Sequence, residues 1–168
     1  MIYRFRAILD THEDVFRDLE IEASATLEDL HNVITQSFGF GGQEMASFYI
    51  SNELWEQGEE IALFDMSETP GSLRVMNETP LDSAVDEKQT KLIYVYDFLN
   101  MWTFMVELAE IAQYEEGRTY PNVMFAHGQI PEEAPEKEFT AELSEREEDE
   151  YDLDPEDYDS LDFDENWN

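Results

Sequence analysis

Residues 26–42, TLEDLHNVITQSFGFGG, contain the strongest structural signal in the chain. Apolar residues recur here every three or four positions, which is the spacing of one helical face. Thr26 stands before the first of them as an N-cap, and Asp29 supplies a carboxylate three positions later, close to the capping-box pattern. Gly39 follows the last one and suits the left-handed conformation that ends many helices. The stretch predicts one main helix whose apolar stripe consists of Leu27, Leu30, Ile34 and Phe38.

Two alternating segments precede this helix. Residues 1–10 place Tyr3 and Phe5 on one face and Arg4 and Arg6 on the other, as expected of a half-buried strand. Residues 15–22 alternate again after a short polar link. The pattern predicts a β-hairpin.

A second, longer hairpin is predicted after the helix. Residues 90–98 are rich in β-branched and aromatic side chains, and residues 102–111 alternate with Trp102 on the apolar face. The link between them, residues 99–101, has hairpin length. Together these elements predict an α+β fold in which a mixed or antiparallel sheet, built from two hairpins, packs on the main helix.

The intervening segments give weaker signals. Residues 46–50 and 61–64 predict short strands separated by a polar link, and residues 81–85 predict a single helical turn. Residues 67–80, which contain two prolines and a glycine, predict a surface loop.

The C-terminal part changes character. After Gln113 the periodicity fades, and three prolines, at positions 121, 131 and 135, argue against a long regular element. Beyond residue 138, 14 of the 30 residues are Asp or Glu, with scattered aromatic side chains. Such a segment cannot offset its ordering entropy by burial. We therefore expect a folded domain at residues 1–137 and a disordered acidic tail at residues 138–168.

The charge is strongly negative throughout. The chain has 9 Lys and Arg against 42 Asp and Glu, a net charge of −33, of which residues 130–168 carry −16 and residues 1–129 carry −17. Nucleic-acid affinity depends on basic side chains that displace condensed counterions. We therefore expect no direct nucleic-acid binding and no affinity for anionic membranes.

Other classes are disfavoured by composition. Cysteine is absent, which excludes disulfides, thiolate metal sites and a Cys nucleophile. The N-terminus has no secretory-signal pattern, and the apolar run at residues 91–112 is interrupted by charged residues. We expect a cytoplasmic protein. No cofactor motif or catalytic constellation is present in the sequence, so we expect no cofactor.

Three stretches resemble the plasmid pRiA4b ORF-3-like family. The first is residues 25–31, ATLEDLH, with Phe38-Gly39-Phe40; the second is Pro80-Leu81 with residues 94–98, YVYDF, and Trp102. The third is Tyr120-Pro121 with Gly128 and Pro131-Glu132. The resemblance spans residues 2–133 and implies the family's fold.

The resemblance implies little about chemistry. The family has Gly-Asp-Gly between the Phe and the Trp, where this chain has Leu99-Asn100-Met101, and its cysteine-bearing Gly-Pro-Pro-Glu-Asp segment is here residues 129–133, QIPEE. Of an acidic site at that turn only Asp97 is retained. Family members are often labelled resolvase-like, but serine resolvases need an activated Ser and several Arg that hold the scissile phosphate. Six arginines in a chain of this charge argue against that activity.

Asp97, Asn100 and Trp102 are the candidate interaction residues. Asp97 and Asn100 suit a tight turn because their side chains bond to nearby backbone, and Trp102 suits the core. The alternative is a polar and aromatic pocket around Asp97 and Trp102. Of the histidines, we expect His31 to be partly exposed on the helix and His12 and His127 to lie at the surface. No two of them have the spacing of a helical metal site.

The acidic tail leaves three alternatives. It is a solubilising extension, a segment that docks on a basic partner through its aromatic residues, or a segment that folds back on Arg4, Arg6 or Arg17 of the first hairpin. The sequence favours a non-enzymatic interaction module that binds basic protein partners. The alternative function is an enzyme, with or without a metal ion, that uses a pocket near Asp97 and Trp102.

Overall fold

An eight-stranded sheet and two helices make up the computed structural model, which describes residues 1–69, 71 and 73–134. These residues lie in one compact unit, Met1–Ala134. The strands are β1 Ile2–Leu9, β2 Phe16–Glu22, β3 Ala46–Ser51, β4 Gln57–Ala62, β5 Arg74–Val75, β6 Lys91–Tyr96, β7 Trp102–Ala112 and β8 Asn122–His127. The helices are α1 Leu27–Phe38 and α2 Leu81–Ala84, and Met76–Glu78 forms a 3₁₀ turn.

The strand order is β5-β4-β3-β6-β7-β1-β2-β8. Every neighbouring pair is antiparallel except β4 and β5, which makes the sheet mixed. The predicted hairpins β1–β2 and β6–β7 are both present, and β7 pairs with β1 to join them in the middle of the sheet. The predicted α+β class is therefore confirmed.

The main helix begins and ends where its sequence predicts. The Thr26 side chain accepts a hydrogen bond from the backbone N–H of Asp29, and the Asp29 carboxylate accepts one from the Thr26 backbone. Gly39 follows α1 with φ 89°, in the left-handed region that a side chain disfavours. All four residues of the predicted apolar stripe are buried: Leu27, Leu30, Ile34 and Phe38.

A row of apolar side chains crosses the helix-covered face of the sheet. Strand register places Phe48, Tyr94 and Phe104 side by side on β3, β6 and β7. The Phe48 and Tyr94 rings lie 4.7 Å apart, and the Phe38 ring of α1 lies 4.7 Å from Phe104. Burial of such large rings supplies most of the driving force for folding in a chain of this charge.

Three segments differ from the sequence predictions. The predicted strand at residues 61–64 corresponds to β4, which starts earlier at Gln57, ends at Ala62 and pairs with β3, so residues 57–60 of the expected polar link are part of a strand. Its first three residues, 57–59, are exposed on both faces of the strand, so the alternation of a half-buried strand is absent there. The predicted surface loop at residues 67–80 contains Met76, whose side chain is fully buried in the core together with the apolar residues of α1. Residues 122–127, where no element was predicted, form β8 against β2.

Strand β8 was missed because it is an edge strand. Its side chains are mostly exposed, including Val123, Met124 and Phe125, so its pattern lacks the alternation of a half-buried strand. The predicted tail at residues 138–168 and the boundary after residue 137 lie outside the described residues. Within the described part of the chain, no helix is long and apolar enough to cross a membrane.

The capping box yields a stability prediction. Replacing Thr26 with Ala removes the acceptor for the Asp29 N–H, and we expect it to lower the free energy of unfolding by about 1 kcal/mol. Urea unfolding followed by circular dichroism measures this change. Ser24→Ala is the matched control, because the Ser24 side chain is exposed and makes no hydrogen bond within the described residues. An equal loss in both variants would contradict the capping role.

Candidate functional site

The Asp97 side chain holds the β6–β7 turn. Asp97 has φ 66°, and its carboxylate accepts hydrogen bonds from the Leu99 N–H at 3.2 Å and the Asn100 side-chain amide at 2.6 Å. Its carbonyl accepts bonds from the N–H groups of Asn100 and Met101. Asp tolerates this left-handed conformation better than most residues. Asp97 and Asn100 therefore lie together as turn residues and use their hydrogen-bonding capacity on each other and on the backbone.

Trp102 lies in the core beside this turn. Its side chain is buried, and its ring lies 5.0 Å from the ring of Phe40, which also packs against Tyr96. The three candidate residues are thus neighbours in sequence and structure, with Trp102 inside and Asn100 outside. The apolar side chains that are exposed around the turn are Phe98, Leu99 and Met101.

His31 differs from its predicted position. It lies on the buried side of α1, 2% exposed, and its Nδ1 shares a 2.6 Å hydrogen bond with the Tyr94 hydroxyl. Burial lowers the pKa of His31 to about 4 and raises that of Tyr94 well above its usual value. Both groups are therefore neutral near pH 7. The prediction of partial exposure was wrong. His31 lies on the apolar stripe, and the Tyr94 hydroxyl of β6 provides a hydrogen-bond partner that allows its ring to be buried.

The other histidines lie at the surface, as predicted. His127 stacks on Phe16 with ring centroids 5.3 Å apart. Among the described residues, no three His, Asp or Glu side chains are grouped so that they could hold one metal ion.

The arginines of the first hairpin are already engaged. Arg6 forms a two-pronged pair with Asp18, at 2.7 and 2.9 Å, and Arg4 bonds to Glu20 and Glu110. Arg17 lies on the opposite, helix-covered face. A tail that folded back on Arg4 or Arg6 would have to displace these carboxylates.

The buried Arg17 side chain connects three elements of the fold by hydrogen bonds. Its guanidinium donates to the backbone carbonyls of Ser37, Phe16 and His127, and it lies 4.5 Å from the Phe38 ring centroid. One side chain thereby ties the end of α1 to β2 and β8. Because it is 7% exposed, Arg17 cannot contribute to a surface for the tail as the sequence had suggested.

Glu20 is a second buried charge. It is fully buried and accepts hydrogen bonds from Arg4, Arg118 and Asn122 at 2.8 to 3.1 Å. Burial acts to raise the pKa of Glu20, but these donors outweigh it, so the pKa is lowered. Both carboxylate oxygens are occupied, and the cluster joins β1, β2, β8 and the loop before β8.

A groove of about 470 Å³ lies between α1, the end of β2 and the segment before β8. Its apolar lining consists of Ile21, Ala25 and Val33, of which Ile21 and Val33 are buried. Tyr120 and Pro121 form the opposite wall. The Tyr120 hydroxyl accepts the Glu115 N–H at 3.3 Å, and the ring lies 5.6 Å from that of Tyr114. The aromatic wall is therefore held in place by its own loop.

The polar lining of this groove is acidic and neutral. It consists of Asp29, Glu22, Ser24, Asn32 and Gln36. Asp29 is used in the capping box, whereas the side chains of the other four make no hydrogen bond or ion pair within the described residues. Among the described residues, no Lys, Arg or His lines the groove. The arrangement offers oxygen acceptors around an apolar surface.

The groove was not predicted from the sequence. Asp29, Asn32 and Gln36 recur at helical spacing, which places them on one side of α1, and this polar stripe was the available signal. It could not show that Tyr120 and Pro121 would stand opposite. That placement depends on β8, which carries the preceding loop to the α1 side of β2.

Comparisons with known proteins agree with the fold. The family model of the plasmid pRiA4b ORF-3-like protein matches residues 1–167. The crystal structure of MM3350 from Methanosarcina mazei Go1, a protein of unknown function, superposes with a TM-score of 0.67 at 20% sequence identity. That match covers 78% of this chain and 72% of the other. No curated protein matches.

Substitution of Asp97 distinguishes a structural role of its carboxylate in the turn from a role in a binding pocket. Asp97→Ala removes two side-chain hydrogen bonds and places Ala at φ 66°, so we expect the free energy of unfolding to fall by about 2 kcal/mol. Asp97→Asn keeps an acceptor and tolerates this φ, so it should cost less than half as much. Urea unfolding measures both. Unchanged stability of the Ala variant would contradict the structural role and favour a binding role for this carboxylate.

His31 yields a pH prediction. Its pKa is about 4 in the folded state and about 6.5 in the unfolded chain, so the unfolded state binds a proton first as the pH falls. Stability should therefore decline as the pH drops from 6.5 towards 4, by up to about 3 kcal/mol from this group.

His31→Gln isolates this contribution. The variant retains a group that can bond to the Tyr94 hydroxyl but does not titrate. Urea unfolding between pH 4 and 7 should show a shallower pH slope for the variant than for the wild type. Equal slopes would mean that His31 has the same pKa in the folded and unfolded states and would contradict the prediction.

Proposed function

The chain belongs to the plasmid pRiA4b ORF-3-like family, and from this premise we propose that it is a non-enzymatic interaction module that binds a basic protein in the cytoplasm. The observation that carries the proposal is that the few Lys and Arg side chains already interact with groups of the same chain. The described residues contain 26 Asp and Glu against 7 Lys and Arg. Six of those seven cations are engaged by carboxylates or backbone carbonyls of the same chain.

The carboxylates that do not pair with these cations give the protein a negatively charged surface. Seven carboxylates pair with these cations, so most of the described acidic side chains have no Lys or Arg partner within the described part of the chain. Such a surface attracts polycations over a distance set by the ionic strength and repels phosphate backbones. It therefore favours a basic protein over nucleic acid or an anionic membrane.

The acidic tail adds to the same negative electrostatic potential. Residues 138–168 lie outside the described residues, and their composition repeats carboxylates around Tyr151, Tyr158, Phe163 and Trp167. Because Arg4 and Arg6 are paired with carboxylates of neighbouring strands and Arg17 is buried, the structure offers this segment few unpaired cations among the described residues. This favours docking on a separate basic protein over folding back.

The enzyme alternative has less support. The Asp97 carboxylate is used in the turn, Trp102 is in the core, and the groove lies against α1 and the segment before β8 rather than at that turn.

Affinity capture from native lysate tests the proposal. The full chain and a truncation ending at Lys137 are immobilised and compared at about 0.05 M and about 0.5 M salt, where exposed charges are screened over very different distances. We expect a basic protein to be retained by the full chain at low salt and released at high salt. A weaker signal from the truncation would assign part of the binding to the tail.

A polyglutamate resin is the control, because it has carboxylates without a fold. Proteins retained by the protein but not by polyglutamate depend on its surface and not on charge alone. Retention of proteins with no bias towards basic composition, or retention that salt does not change, would contradict the proposal.

A further inference from the structure

The groove between α1 and Tyr120 has the chemistry of a cation-binding site. Glu22, Ser24, Asn32 and Gln36 surround it with acceptor oxygens that no other described side chain uses. Ile21 and Val33 give it an apolar floor, since they are 1% and 8% exposed. A ligand that fits must combine hydrogen-bond donors with an apolar stem.

The nearby cation does not fill the groove. Arg118 lies two residues before Tyr120, but its guanidinium bonds to Glu20 at 2.9 and 3.0 Å and to Glu115. Strand alternation places Glu20 on the face of the sheet opposite Ile21, away from α1. The groove therefore keeps an uncompensated acidic lining.

We propose that this groove binds an arginine side chain of the basic protein partner. The inference rests on the proposed function and names the place where one residue of that partner is recognised. An arginine has a planar fork of donors for the Glu22 carboxylate and the Asn32 and Gln36 side-chain oxygens, and an apolar stem for the floor.

The aromatic wall favours arginine over lysine. The Tyr120 ring is fixed by the Glu115 N–H and by Tyr114, so it presents a rigid face on which a guanidinium can stack. A lysine ammonium is a compact, strongly hydrated charge and gains less from such a face. The groove should therefore discriminate between two peptides of equal charge.

Substitutions on α1 test the groove without disturbing the core. Asn32 and Gln36 are exposed, and Lys is a good helix former, so N32K/Q36K should fold. Its two ammonium groups would lie beside Glu22 and compete with an incoming cation. Q43K/N77K makes the same changes at exposed positions outside the groove and is the charge-matched control.

The probes are two 12-residue peptides that differ only in carrying four arginines or four lysines. Calorimetric titration of the full-length wild type should show tighter binding of the arginine peptide. N32K/Q36K should weaken arginine-peptide binding at least about tenfold and abolish the preference, as expected when a charge-assisted contact is lost. Q43K/N77K should weaken both peptides by less than about threefold and keep the preference.

N32A/Q36A provides a second test that adds no charge. Alanine is the best helix former, and this variant removes two acceptors, so arginine-peptide binding should weaken by roughly threefold or more while the helix is retained. Amide spectra of the labelled full chain should show the arginine peptide shifting the side-chain signals of Asn32 and Gln36.

The outcomes separate the two proposals. If the wild type binds neither peptide, the proposed function and the groove assignment both fail. If it binds both peptides but the groove and control variants lose affinity equally, the groove assignment alone is overturned and the acidic surface acts as a whole. Spectral shifts confined to residues away from α1 and Tyr120 would also overturn it.

Discussion

The packing of α1 on the aromatic residues of β6 and β7 is the interaction on which the rest of the structure depends. Phe38 contacts Phe104, and His31 bonds to the Tyr94 hydroxyl, so both halves of the helix are fixed to the middle of the sheet. Both contacts are made by the apolar stripe of α1. The remaining polar side, with Asn32 and Gln36, is thereby fixed towards the segment at Tyr120. The position of the groove is a consequence of how the core is packed.

Electrostatics explains why so acidic a chain can hold a sheet together. Unfavourable repulsion among carboxylates rises with net charge, and the chain places most of its few cations where strands meet. Arg4 lies between Glu20 of β2 and Glu110 of β7, and Arg6 lies beside Asp18. Exposed pairs of this kind contribute little individually, but Glu20 is buried and would be costly without its donors. The same placement leaves most carboxylates of the described residues without a Lys or Arg partner, which is the basis of the proposed function.

Much of the fold follows from periodicity. The ends of α1 and the hairpins β1–β2 and β6–β7 were predictable because capping residues, glycine and alternation are local signals. Three features could not be predicted, because each depends on a neighbour distant in sequence. They are the burial of Met76, the strand β8 and the hydroxyl partner of His31. The turn roles of Asp97 and Asn100 were anticipated from their residue types. The groove was missed because its two walls lie about ninety residues apart in the sequence.

The β6–β7 turn and the groove differ in what their polar groups do. At the turn, Asp97 satisfies the backbone of a loop in which Met101 also has a positive φ. The side-chain hydrogen bonds of Asp97 hold this turn, which leaves its carboxylate little capacity for a ligand. At the groove, the side chains of Glu22 and Gln36 make no hydrogen bond or ion pair within the described residues, and the cap of Asp29 and the buried stripe already fix the helix. Polar groups that the fold does not need are the ones that can bind a partner without a cost in stability.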